Sequence, residues 1–127
     1  MTERSFAERF GAFDRNYQEI LEKIARAAER SGRRPEDITL LAATKTVPVE
    51  VINHAIARGL RCLGENRVQE LLDKYDRLDK EECDLQFIGQ LQTNKVKYLI
   101  GKVSCIQSVG SVKLAREISR LCESEGL

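Results

Sequence analysis

Ile38-Thr39-Leu40-Leu41-Ala42-Ala43-Thr44, followed at once by Lys45-Thr46-Val47-Pro48, is the stretch on which the fold turns. The first part is a short apolar run of strand length, and the second opens a helical pattern over 48–58 that Gly59 closes. Strand, tight turn and helix make one βα unit, and the same grammar repeats down the chain. Residues 60–64 read as a second strand. The helix after it is expected to open on Asn66 as N-cap, with Gln69 in capping-box position and Val68, Leu71, Leu72, Tyr75 and Leu78 along it. Residues 85–89 read as a third strand, 93–100 as a short helix ended by Gly101, and 103–107 as a fourth strand. Ser111 is expected to cap a last helix carrying Val112, Ala115, Ile118 and Leu121, with Gly126 past its end.

Four successive βα units with short connections predict an α/β fold, a parallel sheet with right-handed crossovers. Periodicity leaves two architectures open: a doubly wound sheet, or part of a (βα) barrel. No Gly-x-Gly-x-x-Gly and no Walker-type loop occurs, which weakens the nucleotide-binding version of the open sheet.

Ahead of these units Phe6, Phe10, Phe13, Tyr17, Ile20, Leu21, Ile24 and Ala28 recur at three- and four-residue steps, the mark of one amphipathic helix within residues 1–31. Ser31-Gly32-Arg33-Arg34-Pro35 stops it, Gly32 suiting a left-handed cap and Pro35 barring continuation. The aromatic stripe reads as packing surface, covering the open end or a flank of the four units at 38–127. The whole of 1–127 is expected to be a single domain.

Twenty-one basic residues against twenty acidic ones leave a net charge of +1, so no long-range field argues for nucleic acid or an anionic membrane. Hydrophobic content of 42% with 32% charged residues is that of an ordinary globular protein. No apolar run approaches the ~20 residues of a membrane span, and Met1-Thr2-Glu3-Arg4 leads into an amphipathic stretch without a signal-peptide core. The expected compartment is cytoplasmic. Cys62, Cys83, Cys105 and Cys122 lack the close spacing of zinc or redox sites and read as reduced thiols, with Cys62 and Cys105 buried in strands. His54, in the middle of a helical pattern with no carboxylate cluster near it in sequence, reads as a packing or surface residue. No metal site is expected.

Chemistry in parallel α/β folds gathers at the C-terminal ends of the strands. Lys45 falls there, at the end of the first strand. An amine held at such a mouth and partly withdrawn from water is suited to forming a Schiff base with a carbonyl cofactor. The competing reading is a strand-end lysine that simply reaches into solvent. Asn66 at the second junction either caps its helix or offers its amide to a ligand. The third and fourth junctions, Gly89-Gln90-Leu91-Gln92-Thr93-Asn94 and Ser108-Val109-Gly110-Ser111, are each satisfied by turn and cap chemistry alone.

Taken in order, the junctions carry more. Thr44-Lys45-Thr46, Gly64-Glu65-Asn66-Arg67-Val68-Gln69-Glu70, Phe87-Ile88-Gly89-Gln90-Leu91-Gln92-Thr93-Asn94-Lys95-Val96-Lys97-Tyr98 and Ser108-Val109-Gly110-Ser111-Val112-Lys113-Leu114-Ala115 strongly resemble the pyridoxal-phosphate homeostasis family, the YggS/PROSC type. Its fold is similar to the N-terminal barrel domain of alanine racemase, a (βα) barrel of the TIM type. The resemblance runs from Ile38 to Ile118, and the leading helix also fits. It implies pyridoxal 5′-phosphate (PLP) carried as a Schiff base on Lys45, with no catalytic residue and no defined turnover: a cofactor carrier rather than an enzyme. PLP-dependent apoenzymes are the partners it implies.

The chain also departs from the family's pattern. Leu85-Gln86 stands where the family commonly shows Trp-His, and Gln107 where it commonly shows histidine; both remove a titratable ring. The chain holds only the first four βα units, a half-barrel. The loops after strands seven and eight, which commonly build the phosphate site of such barrels, are not in it. Weakened PLP binding and self-association are therefore expected. Two alternatives stand beside the carrier: an alanine-racemase-like racemase using the same lysine, which needs a second base from another domain, and a half-barrel that no longer holds cofactor tightly.

Overall fold

The computed structural model describes residues 5–127; residues 1–4, the first part of the stretch assigned to the leading helix, lie outside them. Four parallel strands, β1 (Leu41–Ala43), β2 (Cys62–Glu65), β3 (Asp84–Phe87) and β4 (Cys105–Ile106), lie side by side in chain order. In register, Ala43 stands opposite Gly64, Glu65 opposite Phe87, and Phe87 opposite Ile106. The strands are shorter than the apolar runs suggest, yet the ladder continues past their ends. Thr44 N–H donates to Gly64 C=O (3.0 Å), Ile88 N–H to Glu65 C=O (2.9 Å) and Gln107 N–H to Phe87 C=O (3.0 Å). The mouth of the sheet thus remains hydrogen-bonded one residue beyond each of the three pairings.

Helices α1 (Phe6–Arg30), α2 (Val49–Ala57), α3 (Val68–Tyr75) and α4 (Val112–Ser124) accompany the sheet. The connection after β3 is a 3-10 helix, Thr93–Tyr98, rather than the expected α-helix. The helical segment is only six residues long, the short length at which 3-10 bonding is common, and Gly101 at φ 83° turns the chain soon after it. Ser111 caps α4 as its spacing predicts, accepting from Leu114 N–H at 3.1 Å. Gly32, at φ 74°, follows α1 as a left-handed residue.

Strand alternation divides the side chains into two sets. Leu63, Leu85 and Phe87 face the helices and pack with Ile52, Ile56, Leu71, Val96, Leu99 and Leu114 in one buried core. Fully burying each large side chain contributes ~1.5–3 kcal/mol. Leu41, Gly64 and Ile88 lie on the other face, where a Cβ at Gly64 would stand 2.7 Å from Leu41 and 2.9 Å from Ile88. That face carries no helical layer among the described residues; on it Cys62, in an inner strand, is buried, whereas Cys105, in the edge strand β4 and expected to be buried, is exposed. All four cysteines are free thiols. Burial, reinforced by the Asp84 carboxylate, pushes the Cys62 thiol up from its ordinary value.

The aromatic stripe of α1 covers a flank, lying along α2. Phe10 stacks on the His54 ring at 4.2 Å, Phe13 meets it edge-on at 5.9 Å, and Asp14 bonds its Nε2 at 2.8 Å. His54 is therefore a packing residue, but with a carboxylate partner brought from forty residues away. The stripe is only partly used, since Phe6, Ile20 and Leu21 remain exposed.

Candidate functional site

The C-terminal mouth of the sheet brings the four junctions together. Lys45 stands just past the end of β1, after Thr44, and is exposed. Its neighbour Thr44 is still paired to Gly64 and turns its hydroxyl to the helix side, toward Gly64 C=O and the Glu65 carboxylate. The expected withdrawal of the Lys45 amine from water is not met in the described residues, because the face onto which β1 delivers it has no covering layer. Thr46, next in the turn, sits at φ 63°, the left-handed region that a β-branched side chain rarely enters. Its N–H donates to Glu70 at 2.5 Å.

Behind this turn lies a charged cluster that sequence reasoning missed. Glu65, at 1% exposure, and Lys74, at 7%, are buried together. The Lys74 ammonium donates to Thr44 C=O (2.8 Å) and to Glu65 Oε2 (3.2 Å), and pairs with Glu70 Oε2 (2.6 Å). Burial acts to raise the Glu70 carboxyl. Hydrogen bonds from Lys74 and Thr46 N–H, with the charges of Lys74 and Arg67, outweigh it and hold the group below its ordinary value. A readable signal existed: Lys74 falls in the apolar stripe between Leu71 and Leu78, four residues after Glu70, where a lysine is out of place unless it is paired.

Asn66 does not cap α3. Arg67 occupies the N-cap position with no side-chain cap bond, and the Gln69 amide donates to Asp73 (2.9 Å) instead of closing a capping box. The reason is the third junction, which crosses over Asn66. A Cβ at Gly89 would lie 1.9 Å from the Asn66 carbonyl oxygen, so the two loops meet backbone to backbone. Asn66 Oδ1 is left buried with no hydrogen-bond partner, as is Glu65 Oε1. The fourth junction closes on the third through Ser108 Oγ, which donates to Gly89 C=O.

Gln86 and Gln107 are partners. Gln107 Nε2 donates to Gln86 Oε1 at 2.5 Å, Gln86 donates to Asp84 at 3.0 Å, and Ser104 donates to the same carboxylate. The Ser104 and Gln86 bonds hold Asp84 below its ordinary value against the effect of desolvation. A cleft of about 910 Å³, lined in part by Asn66, Arg67, Gln90 and Lys95, opens between the second and third junctions. Lys45 does not line it. Among the described residues no helix is long and apolar enough to cross a membrane, and no cluster of metal-ligating side chains occurs.

No protein-family model matches the chain. Curated relatives and solved structures do. The pyridoxal phosphate homeostasis protein of Aquifex aeolicus is 52% identical over 101 residues, 80% of this chain and 44% of that protein. The protein of the same name from Escherichia coli K12 is 37% identical over 107 residues, 82% of this chain and 46% of that one. A crystal structure of an unknown protein from Bifidobacterium adolescentis superposes with TM-score 0.90 at 34% identity, covering 99% of this chain and 55% of that one. PipY of Synechococcus elongatus PCC7942, solved with PLP bound, superposes with TM-score 0.69 at 35% identity, covering 81% of this chain and 50% of PipY. The chain spans about half the length of the curated relatives it matches. With the four junction motifs in order on one sheet mouth, and these identities across four-fifths of its residues, the chain belongs to the pyridoxal phosphate homeostasis family.

Proposed function

We propose that this chain binds pyridoxal 5′-phosphate through Lys45 and serves as a carrier of the cofactor rather than as an enzyme acting on it. The observation that carries the reading is the position of Lys45, an exposed amine at the C-terminal mouth of β1. PipY, a structural neighbour at 35% identity, has been solved with PLP bound. The cofactor supplies an aldehyde, to whose carbon a lysine amine adds with loss of water, and water reverses the step. Reversibility is what a carrier needs.

The residues at the mouth fit such a group. Lys45 is accessible, Ala43 and Gly64 put little side-chain bulk beside it, and the buried Asn66 Oδ1 is an acceptor still lacking a donor. The paired amides of Gln86 and Gln107 put no titratable ring at their positions, and no residue at the mouth is assigned proton transfer. PLP-dependent apoenzymes as recipients of the cofactor, and a cytoplasmic location, belong to the same proposal.

The test is to add PLP to the purified chain, reduce with borohydride and map the adduct by peptide mass. A single adduct on Lys45, absent from a Lys45→Ala variant with unchanged circular dichroism, is the expected result. Adducts spread over surface lysines, with equal total yield in the variant, would overturn it.

A further inference from the structure

We infer that Glu70 and Lys74 form a positioning pair that clamps the backbone on both sides of Lys45; the inference rests on the reading of Lys45 as the attachment residue. The contacts are specific. On the N-terminal side, Lys74 Nζ donates to Thr44 C=O at 2.8 Å. On the C-terminal side, Glu70 accepts Thr46 N–H at 2.5 Å. The two clamping groups pair with each other at 2.6 Å, so the holds on Thr44 and Thr46 are one connected unit. Glu65, wholly buried, fixes the far side of Lys74 at 3.2 Å and also accepts the Thr44 hydroxyl.

The arrangement has a physical purpose that a merely structural ion pair lacks. Thr46 at φ 63° is a strained conformation for a β-branched residue, and such strain persists only where surrounding groups impose it. The Glu70 carboxylate on the Thr46 N–H is one such group. Without it the turn is free to relax toward ordinary backbone angles, and relaxation there rotates the peptide plane that carries Lys45. An amine that must meet an aldehyde carbon loses rate when its backbone wanders, because the geometry of approach is no longer prepaid. Lys74 and Glu70 act through the backbone that carries Lys45 and not by contact with the cofactor.

The experiment compares the parent chain with Glu70→Ala, which removes the acceptor, and Glu70→Gln, which keeps an acceptor oxygen. Amide hydrogen exchange at Thr46 is read without any cofactor, with the Leu114 amide on α4 as an internal reference for overall stability. The rate of borohydride-trapped PLP attachment at Lys45 is read in parallel. The expected result for Glu70→Ala is exchange at Thr46 faster by about ten-fold, an unchanged Leu114, and attachment slowed by about ten-fold. Glu70→Gln is expected to recover most of both. Unchanged protection at Thr46 in Glu70→Ala overturns the clamp, and lost protection with an undiminished attachment rate overturns its role. A parent chain that never forms the adduct overturns the Lys45 reading instead. The exchange arm then decides the clamp by itself, loss of Thr46 protection supporting it and retention overturning it.

Discussion

At the scale of single residues, the mouth of the sheet is held by groups that tolerate almost no change, and Gly89 is the least tolerant. A methyl group there would lie 1.9 Å from Asn66 C=O and 2.7 Å from Asn66 Cα, both backbone atoms that cannot rotate away. Gly89→Ala is therefore expected to destabilise the chain by about 3 kcal/mol or more, and to displace the second junction. Chemical denaturation gives the stability directly; a loss below about 1 kcal/mol would mean the two loops part easily. Gly64 offers the contrast, because its close neighbours are the ends of the Leu41 and Ile88 side chains. This is also where sequence legibility stopped. Lys45 could be placed at a strand end from the apolar run before it. Asn66 could not be placed correctly, because local chemistry favours it as a cap and only the Gly89 crossing, twenty-three residues on, takes it out of that role. Lys74 advertised itself by interrupting an apolar stripe, but its partners Thr44 and Glu65 come from other elements.

Among the elements, α1 lies outside the sheet and packs along α2, and its hold there is charged as well as aromatic. Asp14 bonds His54 at 2.8 Å and Arg58 at 3.2 Å, while Phe10 stacks on the same imidazole. The His54 hydrogen bond, helped by the Arg58 and His54 charges and opposed by desolvation, lowers the Asp14 carboxyl below its ordinary value of 3.8. A carboxyl with a lowered folded-state pKa stabilises the fold above its unfolded value, and that contribution disappears as pH falls through the folded one. Asp14→Asn is accordingly expected to loosen α1 at pH 6, and the difference from the parent is expected to shrink as pH drops below about 4. Hydrogen exchange in α1 across that range measures it; a difference that stays constant down to pH 2 would exclude Asp14 as the titrating group. Using the difference matters, because Glu70, Asp84 and Glu117 are also lowered and contribute acid sensitivity of their own. The element order and the caps at Ser111 and Gly32 were legible, since each rests on residues within a few positions of one another. Strand lengths were not, because an apolar run says which residues are covered, whereas a strand is defined by which ones pair.

For the molecule as a whole, the decisive fact is a sheet covered on one side. Helices bury the face holding Leu63, Leu85 and Phe87, while the face with Leu41 and Ile88 has no second layer, and β1 and β4 have no further strand beside them among the described residues. The edges are short, three residues and two, which limits strand-to-strand addition. The open face is a different matter, because it combines apolar Leu41 and Ile88 with the polar row Asp84, Gln86 and Gln107. A mixed surface of that kind favours a partner that repeats it, so that apolar groups meet each other and the amides find second hydrogen bonds. We propose that the chain self-associates through this face. Sedimentation velocity across a hundred-fold concentration range is expected to show a dimer giving way to monomer on dilution, and Ile88→Lys is expected to weaken the association by about ten-fold or more. PLP attachment should follow the same curve, since covering the face is also what would withdraw the Lys45 amine from water. A parent chain that sediments as a monomer throughout, yet attaches PLP to Lys45 with an affinity unchanged by dilution, would show instead that the mouth of four βα units is sufficient by itself.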